Sequence, residues 1–431
     1  MKVLLSAYQC QPNTGSENGI GWAWATQLAR MGHEVWVITW SYNQIPVEQE
    51  LQVNPIPNIH FIFCNHPTWL SRLFKILITR QVMLLSFPLW ELMSIWWQWD
   101  AYRIAKSLTQ EVVFDRVHHV TTTAIRRPSF MGLLGIPFIF GPVAGGVKAP
   151  WFLRKSYPLK GWLFDFIRDI SNTIVKFDPL MNLTFITASK IYCRSKDTQE
   201  LIPKFYRYKS EVIFDIPLHE IREMPLVSEQ KFIEKDTFNV LFVGRFLYWK
   251  GVHLALTAFS LLHQKIPNSR FTVIGRGSEE TWLQRLSEKL GIKDAVDWIP
   301  WMEQKKLSSA YLQHDVFLFP SLHDSGGLVI LEALSHGLPV VCLDLGGPGV
   351  MVDETCGRVI KTHGFTEEAV IQRLSDALVE LAENSELRQQ LSERAWAQPT
   401  KFEFKNVVEQ IYSSSVLVEK TLKEAPLDDK S

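Results

Sequence analysis

The stretch Pro320-Ser321-Leu322-His323-Asp324-Ser325-Gly326-Gly327-Leu328-Val329-Ile330-Leu331-Glu332-Ala333-Leu334-Ser335-His336-Gly337-Leu338-Pro339-Val340-Val341 sets two carboxylates on either side of a glycine turn. The apolar run before it, Val316-Phe317-Leu318-Phe319, reads as a buried parallel strand. Ser325-Gly326-Gly327 then reads as a sharp turn, and Leu328 to His336 as a helix ending at Gly337 before Pro339. Strand, tight turn and helix in that order predict a parallel sheet with helices packed on it. They also offer amides at a helix start, at Gly326, Gly327 and Leu328, where the helix dipole favours a phosphate. Glu332, inside the helix, can accept hydrogen bonds from a ribose or sugar hydroxyl.

The same alternation runs along the whole chain: a strand from Lys2 to Ala7, a helix from Gly19 to Met31, then strands from Glu34 to Thr39 and Asn58 to Cys64. It predicts doubly wound α/β architecture with helices on both sheet faces. A second sheet is expected to open at Phe238 to Val243, which leads into Gly244-Arg245, with Lys250-Gly251 ahead of a helix. Arg245 can grip two phosphate oxygens with its fork, and Lys250 supplies a point charge. Phe271 to Ile274 runs into Gly275-Arg276-Gly277, a further strand and glycine turn with a second phosphate candidate in Arg276. Any one of these cations alone reads as a solvated surface residue. Their order, together with the acid pair, points to a diphosphate.

In the first half, Asn13 to Gly21 is a glycine-rich loop between strand and helix, carrying Gly15 and Gly19. A dinucleotide site would also need an acid at the end of the second strand, where Ser41-Tyr42-Asn43 stands instead, so NAD chemistry is not expected. Phe114 to Thr121 reads as a strand ending in adjacent His118 and His119. Alternation points one imidazole to each face, so one of the two is a functional candidate and the register leaves open which. Pro137 to Phe140 is a strand followed by a loop from Gly141 to Gly146 that includes Gly145. Residues 68–104 interleave Trp69, Trp90, Trp96, Trp97 and Trp99 with Arg72, Lys75 and Arg80, a pattern that fits a membrane interface as well as a helical core. Arg80, Gln81 and Glu91 interrupt it, and no spanning helix is expected.

A chain of 431 residues is too long for one core and fits two domains of roughly 200 each. The boundaries read as 1–215 for the first domain, ending in a strand from Ser210 to Asp215, 216–236 for a polar linker, 237–398 for the second domain, and 399–431 for a helix from Phe402 to Tyr412 and a mobile tail after Val418. The five cysteines are odd in number and never form a CxxC pair, so neither a disulfide framework nor a zinc site is expected, and a reducing cytoplasm is. Residues 1–215 carry 22 Lys and Arg against 15 Asp and Glu, while the remainder carries 23 against 30. That imbalance gives the first half a basic surface suited to an anionic one.

The acid pair, with seven residues between Asp324 and Glu332, resembles the motif of retaining glycosyltransferases of family 4 (glycosyltransferase group 1), usually Glu-Gly-Phe-Gly-Leu ending in Leu-Glu-Ala. Here the first acid is Asp324, and Ser325-Gly326-Gly327 replaces Gly-Phe-Gly. The Gly244-Arg245 and Lys250-Gly251 pairs and the Gly275-Arg276-Gly277 turn resemble the same family. The resemblance implies the GT-B fold: two Rossmann-like domains facing a central cleft, with a C-terminal helix returning to the first.

It also implies a nucleoside diphosphate sugar as donor, with UDP favoured over GDP, and a saccharide or lipid-linked acceptor. Asp324 would lie near the donor sugar, Glu332 on the ribose, Arg245 and Lys250 on the diphosphate, Ile299 beside the base, one of His118 and His119 on the sugar, and the loops at Gly15, Gly19 and Gly145 on the acceptor side. No Asp-x-Asp occurs in the sequence, so a metal-bridged diphosphate is not expected, nor is any other cofactor or a nucleic acid partner. The setting implied is polysaccharide or glycolipid synthesis in the cytoplasm, with peripheral contact on the inner membrane face. A sugar-nucleotide epimerase and a non-catalytic sugar-nucleotide binder are the alternatives that the same residues allow.

Overall fold

The computed structural model describes residues 1–14, 16–66, 76, 83–217 and 237–423. The chain divides into two units, Met1–Gly146 with Ile170–Pro217 and Phe404–Ser431 in one, and Val147–Asp169 with Leu218–Glu403 in the other. Residues 147–169 thus group with the later sequence, although they lie within its first half.

The first unit is a parallel sheet of seven strands in the order β3-β2-β1-β4-β5-β6-β7. These are β1 (Lys2–Ser6), β2 (Glu34–Trp40), β3 (Ile59–Cys64), β4 (Arg116–His119), β5 (Phe138–Val143), β6 (Lys190–Cys193) and β7 (Ser210–Val212). Helices cover both faces, so the central strands β4 and β5 are buried at every position rather than at alternate ones. Successive side chains of β1 feed the two cores in turn: Leu4 packs with Trp97, Phe138 and Phe140, while Val3 and Leu5 pack with Trp24, Val35 and Tyr192. The Phe404–Lys423 helix joins the second of these cores through Val407, Val408, Ile411 and Tyr412, and it runs past Val418, where the sequence predicts a tail.

Two other elements differ from expectation. β5 continues through Gly141 and Pro142 to Val143, so these residues are strand and not loop. β7 stops at Val212, because Asp215 turns inward to accept from Arg194 Nε at 2.5 Å and from Trp24 Nε1 at 3.0 Å. Asp215 is fully buried there, an ion pair satisfied on both oxygens.

The second unit is a parallel sheet of six strands in the order β10-β9-β8-β11-β12-β13. Its strands are β8 (Phe238–Val243), β9 (Ser269–Ile274), β10 (Val296–Ile299), β11 (Val316–Phe319), β12 (Val340–Leu343) and β13 (Gly357–Ile360). The connections leave β8 toward β9 and β10 on one side, and toward β11, β12 and β13 on the other. The carboxyl ends of β8 and β11 therefore form a topological switch point, where neighbouring loops diverge. Two glycines let those loops close up. Gly251 has φ 71°, and a Cβ there would stand 1.9 Å from the Pro320 carbonyl. A Cβ at Gly275 would stand 1.9 Å from the Gly244 carbonyl.

The Leu159–Ile174 helix is turned inside out. It buries Asp165 completely and leaves Leu159, Leu163, Phe166 and Ile167 exposed. Among the described residues, no helix is long and apolar enough to cross a membrane.

Candidate functional site

β11 pairs with β8 through Val316 on Val240 and Phe317 on Leu241, which brings the chain after Val243 beside the chain after Phe319. From β8 come Gly244, an exposed Arg245, and the turn Tyr248–Lys250. From β11 comes Asp324. Lys250 Nζ donates to Asp324 Oδ2, across 74 residues of sequence, and lies 5.4 Å from the Phe319 ring centroid. Asp324 Oδ1 accepts from the amides of Gly326 and Gly327 at 3.1 and 3.2 Å, and its carbonyl accepts from Gly347 N at 2.8 Å. Burial works to raise this carboxyl, but Lys250 and the two amides outweigh it and hold Asp324 below the usual carboxylate range. The turn amides expected to receive a phosphate are thus engaged by the first acid of the motif.

Three strand ends are laced together around this pair. Gly244 N donates to Ile274 O at 3.0 Å, Phe246 N to Arg276 O at 2.9 Å, and Gly275 N to Ile299 O at 2.8 Å. The Arg276 side chain is exposed beside them. Glu332 accepts from the Tyr311 hydroxyl at 2.9 Å. Burial first, and Glu332 second, push the Tyr311 phenol well above its ordinary value, so it stays a donor. The helix carrying Glu332 is shorter than predicted, Leu328–Leu334, because Ser335 and His336 form a closing turn in which the His336 ring donates to the Glu332 carbonyl at 2.7 Å.

Asp165 is the residue that sequence reasoning missed. Its Oδ1 accepts from the Tyr248 hydroxyl at 3.1 Å and lies 3.1 Å from His323 Nε2, while Arg154 and Arg168 stand 3.8 Å from its two oxygens. Tyr248 is two residues before Lys250 and His323 one before Asp324, so a single buried carboxylate ties both loops that carry the pair. Arg168 donates to His323 Nδ1 at 2.8 Å, which puts the ring proton on Nε2, toward Asp165. The ring also stacks on Trp249, with centroids 5.2 Å apart. Burial raises the Asp165 carboxyl, and His323 with the two arginines brings it back below the ordinary range. The only signal in the sequence was His323 beside Asp324; nothing pointed to position 165.

In the first unit, His118 and His119 fall on opposite faces of β4, and both are fully buried. His118 bonds the Gly141 carbonyl at 2.6 Å and the Tyr412 hydroxyl at 3.1 Å, and packs edge-on against Trp24. His119 faces Phe140, with the backbone of Thr121 and Thr122 nearest its ring. Burial lowers them to about 4 and about 3 respectively, His119 also being repelled by His118, so both are neutral at pH 7. Gly19 is buried in the first turn of the Ser16–Arg30 helix, and the Gly145 carbonyl accepts from Asn172 at 2.8 Å. Gly15 lies outside the described residues, as do 68–75 and 77–82 of the aromatic segment. Of that segment's described part, the Met83–Leu108 helix buries Trp97 in the core and leaves Trp96 and Trp99 exposed. Among the described residues, no group of three or more His, Cys, Asp or Glu could hold a metal ion.

Residues 224–398 match the family model for glycosyl transferases group 1. An uncharacterized glycosyltransferase of Haemophilus influenzae is 28% identical over 188 residues, which cover 43% of this chain and 51% of that protein. A D-inositol 3-phosphate glycosyltransferase of Mycobacteroides abscessus is 35% identical over 137 residues, 30% of each chain. The chain thus spans about half or less of the length of these curated relatives. Among solved structures, Anabaena HepE in complex with UDP matches 96% of this chain and 99% of its own, with a TM-score of 0.60 at 16% identity, a likeness of fold.

Proposed function

Because residues 224–398 match the family model for glycosyl transferases group 1, we propose that the chain is a retaining hexosyltransferase of the family 4 type. It moves a sugar from a nucleoside diphosphate sugar to a hydroxyl of a saccharide or lipid-linked acceptor, in polysaccharide or glycolipid synthesis, with peripheral contact at a membrane face. The observation that carries this reading is the pairing of Lys250 with Asp324 at the β8/β11 switch point, with Arg245 exposed on the same strand end. A cation and a carboxylate meet where a diphosphate and its sugar would be adjacent.

In this reading the diphosphate competes with Asp324 for Lys250 and is gripped by Arg245, with Arg276 and the Leu328 helix start contributing further positive potential. Displaced from Lys250, the Asp324 carboxylate turns to the sugar hydroxyls. Glu332, oriented by Tyr311, takes the ribose. As the bond between the anomeric carbon and the phosphate oxygen breaks, charge grows on the leaving diphosphate, and the fixed cations stabilise it without a metal. Retention then places the acceptor hydroxyl on the face that the diphosphate leaves, where a leaving oxygen can take its proton. His119, whose ring makes no side-chain hydrogen bond among the described residues, is better placed than His118 to meet a sugar hydroxyl, and the helix start at Gly19 and the loop at Gly145 serve the acceptor. Uridine is favoured over guanosine, since the structurally similar HepE binds UDP.

The test is incubation with UDP-, GDP- and ADP-sugars, with and without oligosaccharide or membrane lipid extract, reading released nucleoside diphosphate by mass spectrometry. Release that depends on an acceptor supports the transferase. An isomerised donor without release supports an epimerase and overturns this proposal. Arg245→Ala is expected to weaken nucleoside diphosphate binding by about 1.5–3 kcal/mol, the scale of a charged hydrogen bond, in isothermal titration. Undiminished affinity would remove Arg245 from the diphosphate.

A further inference from the structure

We infer that the outer face of the Leu159–Ile174 helix is a seat for an anionic lipid surface, at a place distinct from the aromatic segment 68–104. An amphipathic helix of a soluble domain normally turns its apolar stripe to the core. Here the inner face is taken by ions: Asp165 is 0% exposed and lies among Arg154, Arg168 and His323, and Asp169 bonds Arg154 at 2.6 Å. The apolar stripe is therefore forced outward. Leu159 is 83% exposed, and Leu163, Phe166 and Ile167 are each more than a third exposed. At about 100° per residue these positions fall within an arc roughly 100° wide.

The chemistry beside the stripe selects lipid as the occupant. Trp151, 64% exposed, packs edge-on against Trp162, whose ring stacks on Phe166 with centroids 5.5 Å apart. Indoles at the rim of an apolar stripe suit the headgroup depth of a bilayer. Both carboxylates of the helix face inward onto arginines, so the charge on the exposed side is Lys160, at the edge of the stripe. Lys155 nearby is matched by Glu368 at 2.6 Å. A surface with Lys160 at its edge, indoles at its rim and no carboxylate along its stripe complements phosphate headgroups over acyl chains.

The full chain would be co-sedimented with vesicles of phosphatidylcholine alone and of phosphatidylcholine with phosphatidylglycerol, a measurement independent of any sugar transfer. Binding is expected to the anionic vesicles and to weaken with salt. The double variant Leu163→Glu/Phe166→Glu should reduce it by about tenfold or more, since it places charge where acyl chains would lie. Lys160→Glu should weaken binding to anionic vesicles alone. Circular dichroism and nucleotide-induced thermal shifts establish that each variant folds as the parent does. No sedimentation with either vesicle, or undiminished binding by the folded double variant, overturns the inference. A dimer in sedimentation velocity that the same double variant splits, without vesicle binding, overturns it in favour of a second copy of the chain.

Discussion

Lys250 and Asp324 balance each other in a largely buried place, where their side chains are 19% and 15% exposed. Lys250→Ala takes away the larger of the influences that lower the Asp324 carboxyl and leaves burial unopposed but for the turn amides. The Asp324 pKa is then expected to rise, which a carbon-detected NMR titration of aspartate carboxyls would register; an unmoved value would mean that the turn amides alone hold it down. The sign for stability follows from the depressed wild-type value. The contribution of Asp324 is present above the ordinary carboxylate pKa and is lost as pH falls through its folded value. In Lys250→Ala this loss moves to higher pH. The residue types were legible, since two cations, two acids and three glycine turns stand at recognisable offsets in the sequence. Their pairing was not, because which loops meet depends on strand order, and 74 residues separate Lys250 from Asp324.

At the scale of the element, the Leu159–Ile174 helix serves the site from behind through Asp165. Asp165→Ala would leave Arg154, Arg168 and His323 without their shared anion, and a cost of about 3–5 kcal/mol is expected in urea unfolding, as for breaking a buried ion pair. Tyr248→Phe deletes one hydrogen bond to the same carboxylate and should cost about 1 kcal/mol. Equal costs for the two would mean that Asp165 acts through Tyr248 alone. Helix and strand limits could be read from periodicity to within a few residues, as the Ser16–Arg30 helix and β11 attest. Which side of the Leu159–Ile174 helix faces inward could not. Periodicity reports that a helix has two unlike faces; only the ionic partners brought by Arg154 and His323 decide their direction.

At the scale of the whole molecule, both units keep neutral histidines inside. Burial lowers His118, His119 and His253 to about 4, about 3 and about 3, against 6.5 for the exposed ring. The unfolded chain therefore binds more protons than the folded one between about pH 6.5 and 4, and stability is expected to be full above that window and to decline on acidification through it. Urea midpoints at pH 7, 6, 5 and 4.5, taken as approximate sampling points across this window, should fall in that order; a flat profile would show that these rings accept protons without unfolding. The two parallel sheets of the GT-B fold were legible from alternating runs. The membership of residues 147–169 was not, since local pattern carries no sign of which sheet a segment will join.

The first unit's division into separate pieces of chain bears on how the protein is made. Its core takes Val408, Ile411 and Tyr412 from the Phe404–Lys423 helix, and the His118 ring waits for a hydroxyl 294 positions downstream. During synthesis from the amino end, the whole Leu218–Glu403 segment emerges from the ribosome before that helix does. The half of the molecule begun first is thus the half finished last, and its nascent sheet carries an uncovered apolar flank until translation nears Lys423.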